Sequence, residues 1–293
     1  MYNHFLITRF NVRNKAWLTD KNQNTVKTDD WLQNRFALFD AYCFPSVQSN
    51  ATRSPFTWLV FFDVQTPEPF RERIRQYQAR FPAFQPVFIQ DMDELTDAIK
   101  TTIAAQVDDQ TTGIITTRID NDDMLHTDAL HTIRTFVESH PIESGLVDMT
   151  RGLCMQVEPE LKVSACIYYS SPFISYVEPY RGPDALKTVM HRPHHKWFYR
   201  TPTFELTGKP LWIQLIHAKN MANQMQGRIV TDPAALSGFT LGRTLPALAN
   251  SPSAVFRTNY LLYPFYRLKK VAKKLYLALD AQLEFIKQQP ATR

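Results

Sequence analysis

Three carboxylates crowd four positions at Asp120-Asn121-Asp122-Asp123, directly after the run Gly113-Ile114-Ile115-Thr116-Thr117-Arg118-Ile119. Branched side chains suit a pleated, half-buried surface, so Ile114 to Ile119 predicts a strand with the acids at its carboxyl end. In an open α/β sheet that edge is where ligands bind, because the connecting loops open a crevice there. Like charges this close repel, and the cluster calls for a cation or a donor network to neutralise it. In an extended segment Asp120 and Asp122 point to the same side and can reach one ligand, with Arg118 on the same face. Asp123, ahead of Met124, Leu125, Leu130 and Ile133, also reads as the cap or turn that opens a helix. Local pattern alone leaves both readings standing.

The other reactive residues narrow the chemistry. The stretch His191-Arg192-Pro193-His194-His195 suggests zinc, but Pro193 interrupts helical spacing and no cysteine lies near it. Cys43, Cys154 and Cys166 are odd in number and form no Cys-x-x-Cys pair. That pattern argues against a disulfide framework and a zinc knuckle, and fits a reducing cytoplasm. The 8 glycines form neither Gly-x-Gly-x-x-Gly nor a Gly-Lys-Ser/Thr loop, so any nucleotide must be held without them.

The chain that must position these groups has 293 residues, 44% hydrophobic and 21% charged, the composition of a soluble globular protein. No apolar run reaches the roughly 18 residues needed to span a bilayer, and Met1 to Phe10 lacks the pattern of a secretion signal. The net charge of +5 is local: without Arg267, Lys269, Lys270, Lys273 and Lys274, the 33 basic residues become 28 against 28 acidic ones. A balanced body argues against a broad nucleic-acid footprint.

The first half alternates as β/α units. Strands are predicted at His4 to Phe10, Thr57 to Phe62 (ending at Asp63), Pro86 to Gln90 and Ile114 to Ile119. Between them lie helices at Trp31 to Tyr42, opened by Asp29 and Asp30, at Glu68 to Arg80, and at Asp91 to Val107, with another at Asp128 to His140. This alternation implies a mainly parallel sheet covered on both faces. Gly152 to Val157 and Ala165 to Tyr169 read as an antiparallel pair, Pro172 to Pro210 as largely loop, and Leu211 to His217 as a late strand. A linker at Pro246 to Pro252 precedes one or two helices over Phe256 to Gln288, so the chain divides into a domain at 1–245 and a helical extension at 246–293.

Several segments together resemble the bacterial rhamnosyltransferase family. They are Leu6-Ile7-Thr8-Arg9-Phe10-Asn11, the aromatic helix from Arg35 to Tyr42 with Cys43-Phe44-Pro45-Ser46-Val47, and Trp58-Leu59-Val60-Phe61-Phe62-Asp63 with Thr66-Pro67. Arg118 to Asp123 and Trp212-Ile213-Gln214-Leu215-Ile216-His217 complete the set. More broadly the arrangement is similar to GT-A nucleotide-sugar transferases, whose fourth strand ends in Asp-x-Asp. The resemblance implies a GT-A-like α/β fold, a nucleoside-diphosphate sugar donor, a glycan or lipid-linked acceptor, and a Mn²⁺ or Mg²⁺ ion. It implies Asp122 as main metal ligand, Asp120 on the donor ribose or the metal, Asp123 behind them, and His217 as a further ligand with Asn220 near it. Thr8, Arg9 and Asp63, ending the first two strands, would receive base and ribose. Arg118 would pair with Asp120 or with a phosphate.

An inverting transfer also needs a base for the acceptor hydroxyl. Asp184 and Glu178 are the candidates, in a stretch where Tyr180, Trp197 and Tyr199 can stack on a sugar. Clustered Asp at a strand end also serves a metal-dependent phosphohydrolase or nucleotidyltransferase, and a non-catalytic module remains the third reading. In the extension, Phe265, Leu268, Ala272, Leu275 and Leu279 share a stripe with the basic residues largely opposite. Such a helix either lies on an anionic membrane, at the inner face for a cytoplasmic protein, or packs on the domain with its basic face in solvent.

Overall fold

The computed structural model describes residues 1–14, 28–197, 200–217 and 225–288, with side chains to 283. Its first half runs β1 (Tyr2–Arg9), α1 (Asp29–Leu38), a π-helical turn, α2 (Phe44–Asn50), β2 (Thr57–Asp63), α3 (Glu68–Arg80), β3 (Phe84–Ile89), α4 (Leu95–Ala104) and β4 (Gly113–Arg118). There follow β5 (Met124–Leu125), α5 (Ala129–Ser139), β6 (Gly145–Met149), β7 (Arg151–Gln156), β8 (Lys162–Ile167), β9 (Ile174–Pro179), β10 (Thr203–Leu206), β11 (Trp212–Ile216) and β12 (Arg228–Val230). The chain closes with α6 (Pro252–Phe256), a π-helical stretch and α7 (Tyr263–Gln288).

A seven-stranded sheet has the order β10-β6-β9-β4-β1-β2-β3. It is parallel from β4 through β1 and β2 to β3, and between β10 and β6, while β9 runs antiparallel to both its neighbours. This is the mainly parallel α/β sheet that the alternation of strands and helices predicts. β2 reads Thr-Trp-Leu-Val-Phe-Phe-Asp without polar alternation because both of its faces are covered. A second sheet, β12-β8-β7-β11-β5, begins where the chain leaves β4, so the acidic turn at 120–123 joins the two sheets.

The main departures from the sequence reading fall in the proline-rich region. β9 and β10 lie inside the stretch expected to be loop, and β9 is buried between β4 and β6. Pro172 precedes that strand and Pro179 ends it, positions where a missing N–H costs little. The cap of α1 is Thr28, whose Oγ1 accepts from Trp31 N at 3.2 Å; Asp29 and Asp30 occupy the first turn, where the helix dipole favours acids.

The C-terminal helix packs on the body, but not with its whole basic face in solvent. Lys270 is buried, its Nζ 3.9 Å from the centre of the Tyr168 ring, and Lys274 Nζ pairs with Glu205 at 2.7 Å. Tyr266 donates to the Ile167 carbonyl at 3.2 Å, and Arg200 holds Asp280 at 2.8 Å. Two of the basic residues therefore face inward, and the stripe of Phe265, Leu268, Leu275 and Leu279 faces solvent.

Candidate active site

The acidic segment is a turn, with Asp123 N donating to the Asp120 carbonyl at 3.2 Å, so the alternation of an extended strand does not apply to it. Asp120 and Asp122 consequently part company. The Asp120 side chain is 43% exposed, and the Asp122 side chain 8%.

Asp120 stands beside Arg118 at 3.2 Å and Arg9 at 3.8 Å, both at the ends of adjacent parallel strands. Together they line a cleft of about 610 Å³ with Tyr168, Tyr169 and Gln214 and with a second set of basic groups, Arg192, His194, His195 and Lys273. That volume falls in the range of small-molecule sites. The floor near Tyr168 is built by stacking. Gly152 lets Trp212 lie against the β7 backbone, where a Cβ would meet the indole at 2.1 Å, and Trp212 stacks on Tyr168 with ring centres 5.5 Å apart. His194 Nδ1 lies 2.8 Å from the Ser170 carbonyl, so Nδ1 carries the proton and Nε2 keeps its lone pair; burial and Arg118 hold this imidazole down at about 4.

Asp122 lies beneath the cleft in an ion-pair network. Its Oδ2 takes Arg35 Nη1 at 2.6 Å and is 2.9 Å from His217 Nε2. Burial would raise its carboxyl, but Arg35 and His217 outweigh that and hold it well below the usual carboxylate range. Asn121 accepts from Arg35 at 3.2 Å and donates to the Phe10 carbonyl at 2.8 Å. Asp123 accepts from Leu215 N at 2.9 Å, and burial, reinforced by Asp122 and Asp120, pushes it well above its ordinary value. The turn is thus tied to α1, to Phe10 just after β1 and to β11 at once.

The set expected around a Mn²⁺ or Mg²⁺ ion does not converge. Asp122 and His217 are brought together but spend their facing atoms on each other and on Arg35, while Asp120 points elsewhere. No group of three or more His, Cys, Asp or Glu side chains among the described residues could hold a metal ion. Asn220 and Tyr199 lie outside the described residues.

Other expected residues are elsewhere. Thr8 is in the core, accepting from Trp58 Nε1 at 2.9 Å, and does not line the cleft. Glu178 pairs in register with Ile114 at the start of β4, so it sits at the opposite end of the sheet from Asp120. There it accepts from Lys187 N and Thr188 N at 2.9 and 2.8 Å, a structural clamp. Asp184 is an exposed residue of a 3₁₀ turn against α4, its carbonyl 3.5 Å from Lys100 Nζ. Neither lines this cleft. Trp197 is buried against Tyr176, ring centres 4.6 Å apart, and offers no sugar platform. Asp63 lines a smaller cavity of about 210 Å³ with Asn11 and Thr66, and holds Arg13 at 3.3 Å and Gln65 N at 2.8 Å.

Arg35 was missed by sequence reasoning, although a signal existed. It shares the apolar face of α1 with Leu32 and Phe36, and a guanidinium buried there needs an acid.

A family model described as "Putative rhamnosyl transferase" matches residues 3–229. The chain belongs to that family. All of the segments carrying the rhamnosyl transferase resemblance, the acidic turn and β11 included, fall within the matched span. Solved structures like this family member are distant. S. aureus TarS 1–349 in complex with UDP-GlcNAc is 11% identical with a TM-score of 0.40, covering 97% of this chain and 73% of that one. TarS 1–349 on its own is 10% identical at 0.36, covering 73% and 60%. HddC from Yersinia pseudotuberculosis is 12% identical at 0.34, covering 73% and 93%. Likeness this low transfers no residue role. Among curated proteins none matches.

Proposed function

We propose that this protein transfers a sugar, rhamnose in the reading its family suggests, from a nucleoside diphosphate to a hydroxyl of a glycan or lipid-linked acceptor. The observation that carries the proposal is the ring of basic groups, Arg9, Arg118, Arg192 and Lys273, around the one carboxylate lining the cleft among the described residues, Asp120. Breaking the glycosidic bond through an oxocarbenium-like transition state loads negative charge onto the leaving diphosphate. Cations already fixed at that point stabilise the charge without reorganising.

In this reading the diphosphate lies against Arg118 and Arg9, and Asp120, held between them, takes a donor hydroxyl. The nucleoside enters the cavity at Asp63 and Asn11, which opens the Arg13 pair. His194, near Asp120 and with the Nε2 lone pair free of the Ser170 bond, takes the proton of the acceptor hydroxyl, with His195 in the same cleft. A divalent ion added here would find Asp120 as its carboxylate, the remaining positions coming from phosphate and water.

The test is a panel of nucleoside-diphosphate sugars offered with lipid-linked and free glycan acceptors, with products read by mass spectrometry. Transfer from one donor, lost in Arg118→Ala, supports the proposal. Release of phosphate or pyrophosphate without transfer would instead indicate phosphoryl chemistry.

A further inference from the structure

We propose that the outer face of α7 and the turns before it seat this protein on an anionic phospholipid surface. Among the described residues, 11 of the 12 exposed large hydrophobic side chains lie between Phe256 and Leu283. On α7 itself Phe265, Leu268, Leu275, Tyr276, Leu279 and Leu283 are 57–73% exposed. At about 100° per residue they form one stripe along the helix. The orientation is fixed from behind, because Lys270, Leu277 and Ala281 are buried and the Lys274–Glu205 and Arg200–Asp280 pairs hold the opposite side to the body. The apolar face cannot turn inward without breaking those contacts.

Charge identifies the occupant. From Pro233 to Leu279 the chain has no acidic residue, and Arg257, Arg267, Lys269 and Lys273 are exposed along the same segment. A second copy of this face would set those cations against their own kind with no acid to match them. An anionic bilayer matches them, and it accepts Phe, Leu and Tyr between lipid headgroups while lysines reach back to the phosphates. No described helix is long and apolar enough to cross a membrane, so α7 lies in the plane of the surface. Lys273 also lines the cleft, so seating brings the cleft to the bilayer. That last consequence for a lipid-linked acceptor rests on the proposed transfer reaction; the seating does not.

Flotation of the full chain with vesicles of phosphatidylcholine, alone or mixed with phosphatidylglycerol, tests the seating without any activity measurement. The protein is expected to float with the mixed vesicles, weakly with the neutral ones, and to be released by high salt. The combined substitutions Leu268→Gln, Leu275→Gln and Leu279→Gln should weaken binding at least about tenfold. They alter only a solvent face, so an unchanged melting curve shows the variant folded. Arg267→Glu with Lys269→Glu should weaken binding to the mixed vesicles alone. The proposal is overturned if the wild-type chain does not float, or if the charge reversal changes nothing. It is equally overturned if light scattering finds a dimer that the leucine substitutions dissociate while vesicles bind nothing.

Discussion

Arg35 Nη1 stands 2.6 Å from Asp122 Oδ2, so an arginine 87 residues earlier in the chain neutralises the carboxylate that the motif marks most strongly. Removing one member of a buried pair strands the other, at a cost of about 3 kcal/mol or more. Arg35→Met should therefore destabilise the fold by that amount in urea unfolding. Adding Asp122→Asn should restore part of the loss, because the uncompensated charge goes with it. A single-variant cost under about 1 kcal/mol, the scale of an exposed pair, would contradict the network.

Asp184→Asn should leave turnover and KM within about twofold of wild type, since its turn lies against α4 and a group without contact to the reacting atoms contributes nothing to transition-state binding. A fall of a hundredfold or more would reinstate it as the base.

Acid stability should depend on His4. It is buried in β1 with Nε2 2.7 Å from Thr117 Oγ1, and burial followed by Arg134 lowers it from 6.5 to about 3. Between those values the unfolded chain binds a proton that the folded chain refuses, so this residue makes stability fall as pH is lowered through the window. Asp148, lifted by burial from 3.8 to about 6, acts in the opposite sense between those values. The measurement is thus a difference: His4→Gln should lose less melting temperature than wild type on going from neutral to acid pH. Equal losses would contradict the assignment.

The β/α alternation was readable because each parallel strand is a continuous apolar run and each helix an interrupted one; α3 falls at Glu68–Arg80 as its pattern predicts. The position of the acidic cluster was readable for the same reason, at the carboxyl edge of β4. Its internal geometry was not, because four polar residues do not say whether they extend or turn, and the turn sends Asp120 outward and Asp122 inward. The cleft's far wall was hidden for another reason. Arg192, His194 and Lys273 come from a proline-rich loop and a helix that only the chain's path past β9 brings opposite Arg9 and Arg118. Glu178 was misplaced by that same path, because β9 runs antiparallel to β4 and carries its end to the wrong edge.

The central claim is that the basic cleft binds a nucleoside diphosphate through Arg118 and Arg9. Calorimetric titration of the full chain with a panel of nucleoside diphosphates and their sugars tests it directly. At least one should bind, and Arg118→Ala should weaken it about tenfold to a hundredfold, the loss of one hydrogen bond to a charged group. Binding that is absent across the panel, or equal in the variant, would contradict the account.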